Sequence, residues 1–252
     1  AGKIVEAILI GLLIILPPIG ALIIVVRAWH KYGRDAKGRG TIVPQYIPPK
    51  GVSVLGGSAV LHQTFKPAAI SATIIDLAVR HYIKVYETGK KMFGVYKYDL
   101  ELVKAPNGLL PEEEAVVAML FDPPMAAPGT RVSLESLSKK LYTKAQTIGE
   151  SVDARMTTEG YFVRNPREVR APFYVVGGIF VIVGFIFPPY TLGLIPAGLI
   201  CLIGGALMAA PTTKGAELKE YLQGLKMYME LAEAERLKVL QSPQGNLTEK
   251  ID

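Results

Sequence analysis

The sequence predicts an α-helical integral membrane protein with three transmembrane helices and a cytoplasmic α+β region of one or two winged-helix-like units. Three observations predict it. Half of the 252 residues are hydrophobic, mean hydropathy is +0.31 and only 20% are charged, a balance that excludes a disordered chain and is too apolar for an ordinary soluble protein. Two long runs, Ile8 to Val26 and Ala171 to Thr213, carry no charge. Between them, residues 27–170 hold 21 Lys+Arg against 14 Asp+Glu and alternate helical with strand-like patterning.

The first run, with Ile4 to Ala7 in front of it, reaches the ~20 residues that cross ~30 Å of hydrocarbon. We assign residues 1–29 to this span. Pro17 and Pro18 each remove a backbone donor and clash with the preceding turn, so a kink or local break is expected there. Arg27, Lys31, Arg34, Lys37 and Arg39 follow at once and no basic segment precedes, which is the pattern of an anchor and not of a cleaved leader. Arg27 to Lys50, rich in Gly, Pro and basic residues, reads as an extended juxtamembrane strap, with Trp29 and Tyr32 suited to the interfacial aromatic belt, so that residues 30–66 hold the strap and the start of the cytoplasmic region.

Residues 67–110 read as a first winged-helix-like unit. Pro67 opens a helix whose apolar stripe is Ala69, Ile70, Thr73, Ile74, Leu77 and Ala78, ending near His81. Tyr82 to Glu87 and Met92 to Val103 are aromatic and β-branched, with Thr88 to Lys91 as the turn of a wing. Residues 111–170 read as a second unit. Pro111 and Glu112 to Glu114 suit a helix N-terminus, Arg131 to Ser133 is a short strand, and Leu134 to Ser138 and Lys140 to Thr158 are two helices. Tyr161 to Arg164 repeats the pattern of Tyr82 to Val85, each preceded by a helix end at Glu159-Gly160 or Arg80-His81.

A single helix over the second uncharged run would be about twice too long for a bilayer at ~1.5 Å per residue. Residues 171–211 therefore fold back as a hairpin, reversing at Pro188-Pro189-Tyr190, with arms from Pro172 to Phe187 and from Thr191 to Ala210. Gly193, Ala197, Cys201, Gly205 and Ala209 recur every fourth residue and form a small-residue seam for close helix approach. Gly177 and Gly184 offer the facing surface, so packing within the chain is preferred to oligomerisation. Arg164, Arg167 and Arg170 before the hairpin and Lys214 after it agree with the cluster after Val26. By the positive-inside rule this is a multi-pass cell-membrane protein with an extracytoplasmic N-terminus, residues 27–170 in the cytoplasm and a cytoplasmic C-terminus. Residues 212–252 supply an amphipathic helix and tail, with Leu218, Tyr221, Leu222, Leu225, Tyr228, Met229 and Ala232 on one face.

Catalytic signals are silent. Phosphate-cradling glycine loops, paired zinc histidines and nucleophile elbows have no counterpart here, three histidines and one cysteine make no metal or disulfide framework, and Glu112 to Glu114 read as helix-start charge. We expect no catalytic residue, no metal and no cofactor. Only Lys90, Lys91 and Lys97 of the wing offer contacts to nucleic-acid phosphate or anionic lipid. The first helix presents almost no cation between Lys66 and Arg80, and the second sets Glu150 and Asp153 beside its basic residues. The expected role is a non-enzymatic, membrane-anchored scaffold with a cytoplasmic docking region. Its expected partners are membrane lipid and another protein or a second copy; nucleic acid ranks below these. A membrane-tethered DNA-binding regulator is the alternative, and a subunit of a transport or envelope assembly the third.

The order of the first span, WHKYGRD, PQYIPPKGVS, AISATIIDLAVRHYIKVYE, the hairpin and GLKMYMELAEAERLKVL resembles the predicted membrane protein family known as domain of unknown function 2207 (DUF2207). The most specific residues are Trp29, Gly33, Arg34 and Asp35, then Pro48, Pro49 and Gly51, then Asp76, Leu77 and Ala78 with Tyr82. The resemblance spans the chain and implies the C-terminal membrane and cytoplasmic portion of a longer protein whose members carry a signal peptide and a β-rich domain ahead of it. It implies no enzymatic residue.

Overall fold

A computed structural model describes residues 2–90, 96–122, 127–188 and 190–241. Predominantly helical, it carries its apolar side chains in two separate places. Helix α1 (Gly2–Ala28) runs on through Pro17 and Pro18 and closes in a wide turn, Trp29–Gly33. The prolines do not end the helix, because flanking turns carry it across the missing donors. Helices α6 (Pro166–Ile186) and α7 (Leu194–Ala206) form the hairpin. α6 starts earlier than its expected arm because the Asn165 side chain caps it, accepting from the Arg167 N–H at 3.0 Å, and Pro166 occupies the first turn. α7 is shorter than its arm, since its first and last turns are irregular. Pro189 of the reversal lies outside the described residues.

Two helical segments, Leu9–Gly33 and Pro166–Ile186, are long and apolar enough to cross a membrane. With 13 residues, α7 rises only ~20 Å and does not meet that length by itself.

The second body comprises α2 (Val54–His62), α3 (Ala68–Val79), β1 (Ile83–Lys90), β2 (Tyr96–Leu102), α4 (Pro111–Phe121), β3 (Arg131–Ser133) and α5 (Leu134–Thr158). The sheet is antiparallel in the order β1-β2-β3. In its register Ile83 faces Leu102 and Val85 faces Leu100, so Ile83, Leu100 and Leu102 enter the core while Glu101, Arg131 and Tyr86 cluster on the far face. α3, β1, β2, α4 and β3 lie where the sequence places them. Thr88 to Lys90, expected in the turn, continue β1 past an irregularity between Glu87 and Gly89; Lys91, the last residue of that expected turn, lies outside the described residues. α2 lies beyond the strap, at the start of the expected cytoplasmic region, where the sequence reading names no element. Its signal is an N-cap, Ser53, whose Oγ accepts from the Gly56 N–H at 2.9 Å.

Two expectations for residues 111–170 are corrected. Leu134 to Thr158 is one continuous helix, since the polar Ser138 to Lys140 passage contains no breaker. Tyr161 to Arg164 makes no wing strand; one bridge joins Phe162 to Pro211, and β3 pairs with β2, so the two proposed units share one sheet and one core. The likeness around Tyr82 and Tyr161 is a likeness of helix ends. α3 closes with His81 left-handed (φ 61°) and the Tyr82 N–H on the Leu77 carbonyl; α5 closes with Gly160 left-handed (φ 79°) and the Tyr161 N–H on the Met156 carbonyl.

Helix α8 (Thr213–Gln241) returns along α2. Leu218 and Leu222 join the core of the body, whereas Tyr228, Met229 and Leu231 remain exposed. The strap runs over α8: the N–H groups of Arg39 and Gly40 donate to the Glu220 carboxylate, and the Tyr221 hydroxyl donates to the Ile47 carbonyl at 2.7 Å.

Candidate docking groove

The stripe on α3 divides on folding. Ala69, Ile70, Thr73 and Leu77 are buried; Ile74 is half-buried, and Ile75 remains 64% exposed. Ile70, Ser71, Ile74 and Ile75 form one wall of an open groove of about 880 Å³. Val85, Tyr98 and Leu100 of the sheet are its floor, and Leu134, Ala145 and Gln146 of α5 the opposite wall. Phe65 and Arg167 close one end beside the start of α6. A Cβ at Gly149 would meet the Phe65 ring and the Arg167 guanidinium at 2.5 Å, so glycine is what lets both reach this end.

Arg167 is held by acids of α5: its Nε donates to Asp153 Oδ2 at 2.9 Å and its Nη1 to Glu150 at 3.2 Å. Asp153 has no exposed surface, and its second oxygen is unbonded. Burial raises its pKa above the usual carboxylate value, with Arg167 and Arg170 pulling against that rise. The groove is thereby tied to the root of the hairpin through a buried ion pair.

A second set of ionic contacts holds the back of the body, and it corrects the reading of Glu112 and Glu113 as ordinary helix-start charge. Both are 3% exposed. Glu112 accepts from Ser53 Oγ at 2.5 Å and pairs with Arg155; Glu113 pairs with Arg80 at 2.7 Å and accepts from the Leu110 N–H at 3.0 Å, satisfying a helix-end donor. Arg80 also bonds Asp76, and Arg155 also bonds Glu159. These acids are saturated by cations and a hydroxyl, an arrangement that holds α2, α3, α4 and α5 together and leaves no free base. A spacing rule could have found its local part, the Asp76–Arg80 and Arg155–Glu159 pairs at i, i+4; the long-range part has no sequence signal.

Of the wing residues, Lys97 faces Glu135 at 3.7 Å. Lys90 ends β1, its side chain outside the described residues together with all of Lys91. On α5, Lys144 pairs with Asp122 at 2.8 Å. Among the described residues no group of three or more metal-ligating side chains occurs.

The seam residues are distributed over α7 and its ends. Ala197 and Cys201 are buried in the small bundle core with Ala21 and Val25 of α1. A Cβ at Gly193 would meet backbone atoms of Leu13 and Ile14, and at Gly205 would meet Phe173 and Tyr174 of α6. Ala209 lies beyond the helix end, buried beside Met208 and Ala210. Gly177 and Gly198 bring the backbones of α6 and α7 together, each facing the other's carbonyl oxygen. At one end of the bundle the flanks converge: the Ala36 N–H donates to the Pro211 carbonyl, Arg170 to the Ala206 carbonyl, and Arg164 lies over the Tyr32 ring.

The family model described as "Predicted membrane protein (DUF2207) C-terminal domain" matches residues 43–248, and the chain belongs to this family. No curated protein and no solved structure matches it.

Proposed function

We propose that this member of the DUF2207 family is a non-enzymatic, membrane-anchored docking protein whose cytoplasmic body receives an apolar segment of a partner protein in the groove between α3, the sheet and α5. One observation carries the reading: an open groove of about 880 Å³ with apolar walls, at whose edge Ile75 stands mostly in water. Covering such a side chain contributes about 0.8 kcal/mol per methylene, and an apolar helix face is the partner chemistry that suits it.

The same body reads as winged-helix-like. α2 and α3 precede the β1-β2 wing, and β3 adds to β2 from later in the chain. The exposed side of α3 is apolar where a DNA reader needs donors, and Lys97, Lys144, Arg80 and Arg155 face carboxylates. Both features favour protein over nucleic acid. For topology we infer three crossings, with the turns flanking α7 completing the third. Convergence of the basic flanks at one end supports a single cytoplasmic side, an extracytoplasmic N-terminus and a cytoplasmic C-terminus.

The test is co-purification of the full chain from gentle detergent beside Ile75→Glu. A protein that accompanies the wild type and is lost from an equally stable Ile75→Glu is the expected result. A chain that comes down alone, or a companion indifferent to Ile75→Glu, overturns docking in the groove.

A further inference from the structure

We propose that the converging end of the bundle, where Lys31 and Arg164 meet the Tyr32 ring, binds the phosphate of an anionic phospholipid. Lys31 Nζ lies 5.1 Å and the Arg164 guanidinium carbon 4.9 Å from the centroid of one ring, that of Tyr32. Neither cation has a carboxylate within ion-pair distance among the described residues. Nearby acids are engaged elsewhere, Asp35 accepting from Gln63 and Glu168 from Asn165.

Two like charges held by one ring raise the local positive potential, and an anion in the headgroup layer beside them is attracted by both. An ammonium and a guanidinium are both donors only, so the complementary group is a cluster of acceptor oxygens with negative charge, which is what a phosphodiester presents. Arg27 and Arg34 flank the pair on the same stretch and also lack a carboxylate partner among the described residues, adding to the local positive field.

Depth selects lipid over a free ion. Tyr32 stands six residues beyond Val26, where the first apolar run ends, hence ~9 Å above the hydrocarbon edge at 1.5 Å per residue. That is the headgroup layer of a bilayer whose apolar core is ~30 Å in a total of ~40–45 Å. Trp29, 38% exposed one turn earlier, occupies the boundary level that favours amphipathic rings. The inference rests on α1 and the hairpin standing in a bilayer, and the experiment separates the two.

Trp29 is the single tryptophan and adjoins the site, so its fluorescence reads which lipid is bound there. The full chain is reconstituted in phosphatidylcholine vesicles containing a minor fraction of phosphatidylglycerol, with bromine carried on the acyl chains of one lipid or the other. Brominated phosphatidylglycerol is expected to quench Trp29 well beyond its share of the lipid. Lys31→Gln and Arg164→Gln should each reduce that preference by up to about five-fold, with quenching by brominated phosphatidylcholine retained. Arg164→Lys should keep most of it. Equal quenching by the two lipids in the wild type, or a preference that survives Lys31→Gln/Arg164→Gln, overturns the site while leaving the membrane reading intact. Absence of quenching by either lipid overturns the membrane placement itself. Loss of the preference on adding inorganic phosphate overturns the assignment to lipid.

Discussion

The body and the bundle of this chain are packed on opposite plans. In the body, large side chains such as Phe121, Leu77, Leu120 and Met156 lie inside, and the charges that go in with them, Glu112, Glu113 and Asp153, are each met by arginine. In the bundle, large side chains such as Leu16, Ile24, Phe185 and Ile203 point outward, and the contacts between helices are made by Ala197, Cys201, Gly177 and Gly198. The difference teaches that each plan answers its surroundings. Where water is outside, apolar area is driven inward; beside helices apolar enough to cross a membrane, as α1 and α6 are, large side chains would gain nothing by hiding from hydrocarbon, and close backbone approach holds such helices together.

The strongest way to break the body is to leave one buried charge alone. Arg155→Ala strands the Glu112 carboxylate, and thermal or denaturant unfolding of the full chain in detergent should report a loss of about 3–5 kcal/mol. A loss under 1 kcal/mol would mean that the pair contributes nothing to the core.

The bundle should break through size and not charge. Gly198→Val places carbon against the Gly177 carbonyl and Val181 and should cost about 1–3 kcal/mol by overpacking, seen as a lower melting temperature by near-ultraviolet dichroism. Gly178→Val, whose position opens onto empty space, should leave melting unchanged. Equal effects of the two would contradict the observed face of α6.

The joint between the plans should be sensitive to pH. Burial raises the Asp153 pKa from its usual 3.8, so this carboxyl favours folding below that value and loses its contribution as pH rises through the raised folded pKa. Melting temperature followed upward from pH 4 should decline more steeply in the wild type than in Asp153→Asn, and parallel curves would remove Asp153 as the cause.

The smallest effect on stability belongs to the groove. Ile75→Ser touches an exposed side chain and should change unfolding by no more than about 0.5 kcal/mol while weakening partner capture. A large destabilisation would show Ile75 to be part of the core instead.

Legibility differs in the same way between the two regions. The uncharged runs, the stripe of α3 and the hairpin strands are visible in the sequence because periodicity and charge are local properties. The groove is not visible, although every residue of its α3 wall belongs to or borders that stripe: a helical period states which residues share a face, not whether sheet and α5 close over all of it. The separation of Leu134 to Thr158 into two helices fails because a polar passage without a breaker does not interrupt a helix. The likeness of Tyr161 to Tyr82 is a shared helix-end pattern and leads to no shared strand, because a cap says nothing of what the chain pairs with next.

The membrane character, the positions of the apolar helices and most elements of the body follow from the order of residues alone, because transfer of residues from water and local backbone preference act over a few neighbouring positions. That β3 completes the first sheet, that Glu112 and Glu113 lie inside against Arg155 and Arg80, and that Lys31 and Arg164 share a ring emerges with the fold. Those pairings join residues from 30 to more than 100 positions apart, and Coulomb attraction and hydrogen bonding across such distances exist only after the chain has folded.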